Sequence, residues 1–383
     1  MAAEACLPMT AKLWDGYLID EEKGGCDYEK ILIALLVLIY GLSFAACTDI
    51  GSGGSSEMIL PKLPVIAETS DDSAGMQIPD LPSAGDNDGQ GCGDTAKSVY
   101  TVDTRISDVI NDPVFGEWGR MIFPVNRGYY SGDTLGNLRL TWYNNINAAH
   151  TVEICNYFRD QTVDGNIVFY DIYTESEKAA DPRKADTGLF FFRGNQGAPF
   201  AVTCAGGGWA YVGAMHDSFP HALELSKRGY NAFAIIYRPG AQTAYEDLAR
   251  AITVIFNNAE EFGIDTDGYS IWGRRMAATI SSYGVQTYGG GANVPKPSVA
   301  VIQYTGHTDY NESGEPATFV CVGESDGIAS CCTMKNRIDN LAAMGVPTEY
   351  HSYAGLGHGF GLGIGTIAET WFDQAVAFWE RNR

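Results

Sequence analysis

Three short stretches of the chain carry residue types that could act together on a carbonyl group. The first is Ala205-Gly206-Gly207-Gly208-Trp209. Consecutive glycines let backbone N–H groups approach a ligand with no Cβ in the way. Gly207 and Gly208 are therefore candidates to stabilise the oxyanion of a tetrahedral intermediate. The second is Glu324-Ser325-Asp326-Gly327-Ile328, where Asp326 could orient an imidazole or could simply cap a turn. The third is Gly355-Leu356-Gly357-His358-Gly359-Phe360. A histidine between glycines on a loop is free to exchange protons, although a purely structural loop histidine has the same look.

These residues need elements to carry them. Apolar runs occur at Gly188–Arg193 and Phe200–Cys204. Further strands are predicted at Asn231–Tyr237, Tyr269–Trp272, Val299–Tyr304, Thr318–Gly323 and Thr348–Tyr353. Between and after them, helices are predicted at His216–Arg228, Ala244–Glu261, from about Met276, at Thr333–Met344 and at Thr366–Arg381. Upstream, Leu138–Tyr143 and Ile167–Tyr173 read as strands and Ala149–Gln161 as a helix. Alternating strands and helices imply a mostly parallel sheet covered on both faces. Fully apolar strands suit that burial. Ligands in such sheets sit beyond the carboxyl ends of the strands.

Glycine turn, acid and histidine each follow a strand, in that chain order. This is the layout of the α/β-hydrolase fold, a mostly parallel central sheet with helices on both faces, here with an N-terminal extension. The layout demands a G-x-S-x-G nucleophile elbow after the Tyr269–Trp272 strand. The sequence there reads Trp272-Gly273-Arg274-Arg275-Met276-Ala277-Ala278. Gly273 is present, and Arg275 stands at the serine position of the motif. Ser281 and Ser282 follow inside the predicted helix, without a glycine two residues earlier.

From about Thr187 to Arg383 the chain resembles bacterial α/β-hydrolase esterases of the acetylxylan-esterase/lipase-like group. The motifs that carry the resemblance are AGGGWAYVG, HALELSKRGYNAF, YRPG, AYEDLARAI, GESDGIAS and GLGHGFGLG. The resemblance implies that Gly207 and Gly208 donate to the oxyanion and that Asp326 and His358 are triad members. In these relatives the elbow reads like WGGSAGARMAA, whereas this chain reads WGRRMAA. A loss of about four residues accounts for the difference, with Arg275 matching the family's arginine. Residues 98–186 look like an amino-terminal extension found in some of these esterases.

Bulk properties narrow the partners. The net charge is −22, with 47 acidic against 25 basic residues. Nucleic-acid phosphates need clustered Lys and Arg, so nucleic acid is not an expected partner. Nine scattered cysteines include no C-x-x-C pair, and no metal-binding motif of the H-E-x-x-H type occurs. No metal or cofactor is called for.

Residues 1–47 hold the apolar run Ile31–Tyr40, preceded by Lys30 and followed by small residues up to Cys47. This describes a secretory signal. Ala45, Ala46 and Cys47 resemble a bacterial lipobox with Phe44 at its first position, and an uncleaved membrane anchor is the alternative. Glu21, Glu22, Asp27 and Glu29 are unsuited to a basic leader, which points to translation starting downstream of Met1. Residues 48–97 form a Gly/Ser/Pro-rich acidic tether. The expected location is extracytoplasmic, with membrane contact only through the N-terminal anchor.

The expected function is carboxylic-ester hydrolysis of the serine type, on a small acyl ester or an acetylated carbohydrate. The alternative is a catalytically dead, tethered glycan-binding module. A peptidase of similar fold is a further enzyme class. Trp209, Tyr211, His307 and Phe360 are candidates to line the pocket, as aromatics that could stack on sugars or as a polar strand-end residue.

Overall fold

The computed structural model of the chain describes Pro79 and residues 100–123, 127–141 and 146–383. The apolar run Ile31–Tyr40, Cys47, the acidic segment before them and the tether other than Pro79 lie outside the described residues. Among the described residues, no helix is long and apolar enough to cross a membrane.

Eight strands build the main sheet. They are β1 (Phe169–Tyr170), β2 (Gly188–Phe192), β3 (Pro199–Cys204), β4 (Asn231–Ile236), β5 (Asp265–Gly273), β6 (Val299–Gln303), β7 (Ala317–Gly323) and β8 (Thr348–Tyr353). Their spatial order is β1-β2-β4-β3-β5-β6-β7-β8. β2 runs antiparallel to both β1 and β4, and every other pair is parallel. β2, β3, β4, β6 and β7 are buried along their whole length, which is why they are apolar without alternation. β8 closes one edge and is mostly half-buried. Its Glu349 binds His351 and Arg381, so this edge carries charge, a common way to discourage strand addition.

Seven helices of the fold matter here. They are α1 (Ala148–Val163), α2 (Ala214–Asp217), α3 (Phe219–Lys227), α4 (Ala241–Asn257), α5 (Arg275–Tyr283), α6 (Cys331–Ala343) and α7 (Trp371–Asn382). Four elements depart from the sequence expectations, and two of the departures have a visible physical cause. The helix expected at His216–Arg228 is two helices, broken at Ser218. Pro220 has no N–H and its ring would strike the carbonyl of His216, so one continuous helix cannot pass through it. The last helix starts at Trp371 rather than Thr366. Gly363 and Gly365 take left-handed φ values of 71° and 72°, and the Thr366 hydroxyl donates to the Gly363 carbonyl, so the chain is still turning there. The strand expected at Ile167–Tyr173 pairs only over Phe169–Tyr170. Of the one expected at Leu138–Tyr143, Arg139–Leu140 pairs with Tyr130–Ser131 outside the main sheet, and its last two residues lie outside the described residues.

Residues upstream of β2 pack on the sheet in two ways. Phe158 of α1 meets Phe190, Phe192 and Phe219 with ring centroids 4.8–5.3 Å apart. Next, the strap that follows β1 is fastened to α4 by charge. Asp247 of α4 is fully buried and accepts from the Tyr173 hydroxyl at 2.6 Å. It also accepts from the Arg238 side chain at 2.7 Å and from its backbone N–H at 2.7 Å. Arg238 reaches on to Asp181 at 3.0 Å. Removing one partner of a buried pair leaves an uncompensated charge. The Asp247→Ala chain is therefore expected to lose about 3–5 kcal/mol of stability, measured by urea unfolding. A loss below about 1 kcal/mol would show that apolar contacts alone hold the strap.

Candidate active site

The strand order reverses at β3, which lies between β4 and β5. A crevice forms at such a switch point, beyond the carboxyl ends of the strands. Thr203 of β3 is in register with Trp272 of β5. The glycine turn after β3 and the turn after β5 must therefore abut. Gly273 has a φ of 154°, and a Cβ on it would lie 2.5 Å from the Cys204 carbonyl oxygen. Only glycine fits where the two strand ends close on each other.

The chain leaves β5 through Arg274, which precedes the first turn of α5. This sharp strand–turn–helix has the shape of a nucleophile elbow. It corrects the motif count: Arg274, not Arg275, takes the inward position. Arg275 opens the helix and is exposed. Arg274 is the first residue after the strand, whereas counting through G-x-S points to the second. Ser281 and Ser282 are buried further along α5, and the Ser282 hydroxyl donates back to the Ala278 carbonyl.

The Arg274 guanidinium is bound on several sides. Nη1 lies 3.1 Å from His358 Nε2, and Nη2 lies 2.8 Å from Asp217 Oδ2. Its carbon sits 4.3 Å over the Tyr304 ring. A Cβ on Gly206 would come within 2.5 Å of Nη1, so the guanidinium lies flat against the bare glycine turn. Asp326 and His358 are brought together from the loops after β7 and β8. Asp326 Oδ2 is 2.8 Å from His358 Nδ1. Asp326 Oδ1 accepts the N–H groups of Ile328 and Ala329 at 2.8 and 2.7 Å, which fixes the carboxylate. The two loops are tied by Ser325 N–H to the Leu356 carbonyl, and a Cβ on Gly323 would strike that carbonyl oxygen at 2.1 Å.

The hydrogen bonds decide the histidine tautomer. A guanidinium only donates, so Nε2 of His358 must accept. Nδ1 then carries the proton and donates to Asp326. This is the tautomer a general base needs, but its lone pair is already engaged.

In the glycine turn, Gly207 and Gly208 have left-handed φ values of 148° and 60°. Neither directs its amide N–H at a partner among the described residues. Trp209 beside them is half-buried, also left-handed (φ 65°), and meets Tyr245 edge-on at 5.3 Å. Tyr211 is buried and stacks on Tyr129 at 4.9 Å. Phe360 is buried against Tyr304 at 4.7 Å. His307 is buried beside a cavity of about 10 Å³ lined by Ala278, Met334 and Arg337, among others, and apart from the cluster around Arg274. Sequence reasoning missed Asp217 and Tyr304. Both are buried, and the Tyr304 hydroxyl donates to Asp217 Oδ1 at 2.9 Å. No local motif marks either residue.

The strand order, the antiparallel second strand and the elbow-shaped turn together define an α/β-hydrolase fold. Among known proteins, no family model and no curated protein matches the sequence. Solved structures do match. One is an α/β-hydrolase enzyme from a Medee basin deep-sea metagenome library, at 19% identity and a TM-score of 0.46, covering 56% of this chain and 97% of that one. Another is an acetyl ester-xyloside bifunctional hydrolase from Caldicellulosiruptor lactoaceticus, at 18% identity and a TM-score of 0.48, covering 56% of this chain and 95% of that one. A third is a thermophilic esterase from the Planctomycetes species Thermogutta terrifontis, at 18% identity and a TM-score of 0.44, covering 51% of this chain and 89% of that one. At these identities the likeness concerns the fold.

Several buried histidines are held neutral. His221 donates from Nδ1 to the Asp217 backbone carbonyl and stacks on Phe372, and burial depresses its pKa from 6.5 to about 4. Burial, aided by Arg337, does the same to His307, also to about 4. His216 is lowered by burial as well. A folded-state value below the ordinary one favours the folded state above pH 6.5. That stability is lost as the pH falls from 6.5 through about 4. The loss is expected to reach about 3 kcal/mol for each of His221 and His307. Urea midpoints measured near pH 7 and near pH 4 test this, and His221→Gln should flatten part of the dependence. A midpoint that does not move between the two would contradict it.

Proposed function

We propose that this chain carries the site of a serine-type carboxylic-ester hydrolase with its acyl-enzyme step disabled. The substrate class is small acyl esters, with acetylated carbohydrate the foremost example. That class rests on the motif resemblance of residues 187–383. The assignment of Asp326 and His358 as the acid–base pair is supported by their 2.8 Å contact and by the tautomer Arg274 imposes. Gly207 and Gly208 as oxyanion donors are supported by their uncommitted N–H groups.

The observation that carries the proposal is Arg274 Nη1 at 3.1 Å from His358 Nε2. A nucleophilic hydroxyl would need that place and that lone pair. An arginine cannot deprotonate in a protein, so it cannot take over as nucleophile. A second reading follows from Trp209, half-buried next to the glycine turn: a tethered module that binds an acetylated glycan without turning it over. In either case the domain is proposed to stand outside the cytoplasm, held through Cys47 or through the apolar run before it.

Hydrolysis of p-nitrophenyl acetate tests the main reading. The unmodified chain should not exceed the buffer rate. Arg274→Ser, or replacement of Arg274 by Gly-Ser-Ala-Gly-Ala, should raise the rate by at least about 100-fold, since loss of the nucleophile alone removes far more than that. The gain should vanish on adding His358→Ala. Turnover by the unmodified chain that His358→Ala abolishes would overturn the proposal. Retention on an acetylated xylan column without release of acetate would favour the module.

A further inference from the structure

We propose that the space in front of His358 is a cation subsite, and that Arg274 is its built-in occupant. The subsite takes a guanidinium or a primary ammonium group. The inference is independent of the hydrolytic reading, because it needs no turnover.

Four elements other than the one bearing Arg274 converge on its guanidinium. Asp217 at the end of α2 supplies a carboxylate whose side chain is 2% exposed. Tyr304, just past β6, supplies a ring face at 4.3 Å. His358, after β8, supplies a lone pair at 3.1 Å. Gly206, after β3, supplies a flat wall with no side chain. One negative charge, one π face and one acceptor are the complement of a cation, and none of them suits an anion.

The pieces are also held in place by bonds that do not involve Arg274. Asp217 Oδ2 accepts the Gly206 N–H at 3.3 Å, and Oδ1 accepts the Tyr304 hydroxyl at 2.9 Å. The Tyr304 oxygen in turn accepts the Gly361 N–H at 3.2 Å. Tyr304 has a φ of 24°, a strained value for a residue with a side chain, and these bonds keep its ring under the guanidinium. His216 Nε2 lies 3.8 Å from Asp217 Oδ1 but donates to the Gly359 carbonyl at 2.8 Å, and burial favours its neutral form. Arg274 brings its positive charge to 2.8 Å from Asp217 Oδ2. A buried carboxylate deprived of its cation is strongly unfavourable, so the subsite recruits a replacement when Arg274 is truncated.

In the native chain the consequence is a closed site. A neutral ester cannot displace the guanidinium from Asp217, and a ligand reaches His358 Nε2 only if it brings its own cation.

The test uses the full chain carrying Arg274→Ala, titrated with methylguanidinium chloride against equal potassium chloride. The expected result is a saturable rise in Tm, about 2 °C at roughly tenfold over Kd. The unmodified chain and the Asp217→Asn/Arg274→Ala double variant should show no such rise. No response in a folded Arg274→Ala chain, or an equal response in the double variant, overturns the proposal. Arg274→Lys and Arg274→Met decide the matter if the alanine variant does not fold. The subsite requires the lysine chain to melt closer to the unmodified chain than the methionine chain does. Lysine no better than methionine overturns it.

Discussion

The neighbouring of β3 and β5 is the constraint from which the site follows. Their register sets two strand ends side by side, so close that Gly273 would bury a Cβ in the Cys204 carbonyl. Whatever residue comes next must turn sharply into α5, and its side chain points at the turn that follows β3. That turn must then be stripped of side chains, as Gly206, Gly207 and Gly208 are. The geometry is indifferent to what the inward residue is. A serine there would face the glycine N–H groups and His358; an arginine there fills the same space with a cation and still leaves the strand–turn–helix intact.

The electrostatics explain how an arginine is accommodated at this turn. A guanidinium pushed into an apolar crevice would be costly without partners. Here it meets a carboxylate, a ring and an imidazole lone pair, each already anchored by its own element. Because guanidinium cannot accept, it also selects one tautomer of His358, and with it the direction of the Asp326 hydrogen bond. Both ring nitrogens of His358 are thereby engaged, one with Arg274 and one with Asp326.

Much of this was legible in the sequence, for identifiable reasons. Strands buried on both faces leave unbroken apolar runs ahead of the glycine turn and Asp326, and His358 follows the half-buried edge strand β8. Order along the chain was enough to assign the fold. The inward position at the elbow was read one residue too late, because a motif counts residues whereas the turn counts from the strand end. Arg274 rather than Arg275 is the first residue released by β5. Asp217 and Tyr304 could not be found that way. They are 87 residues apart in sequence and meet only through the tertiary fold. His307 and Phe360 show the opposite limit: a position after a strand end can lead into the core as easily as into the crevice.

The same reasoning ranks the two carboxylates around His358. Asp326 is held in place by the Ile328 and Ala329 N–H groups of its own loop, whether or not a cation is present. Asp217, nearly fully buried, accepts the Gly206 amide at 3.3 Å and the Tyr304 hydroxyl at 2.9 Å, and pairs with Arg274 at 2.8 Å. Of the two acids, Asp217 is the one that Arg274 reaches directly from the turn. The guanidinium's contact with His358 follows from that anchoring: it comes to the imidazole because Asp217 holds it there.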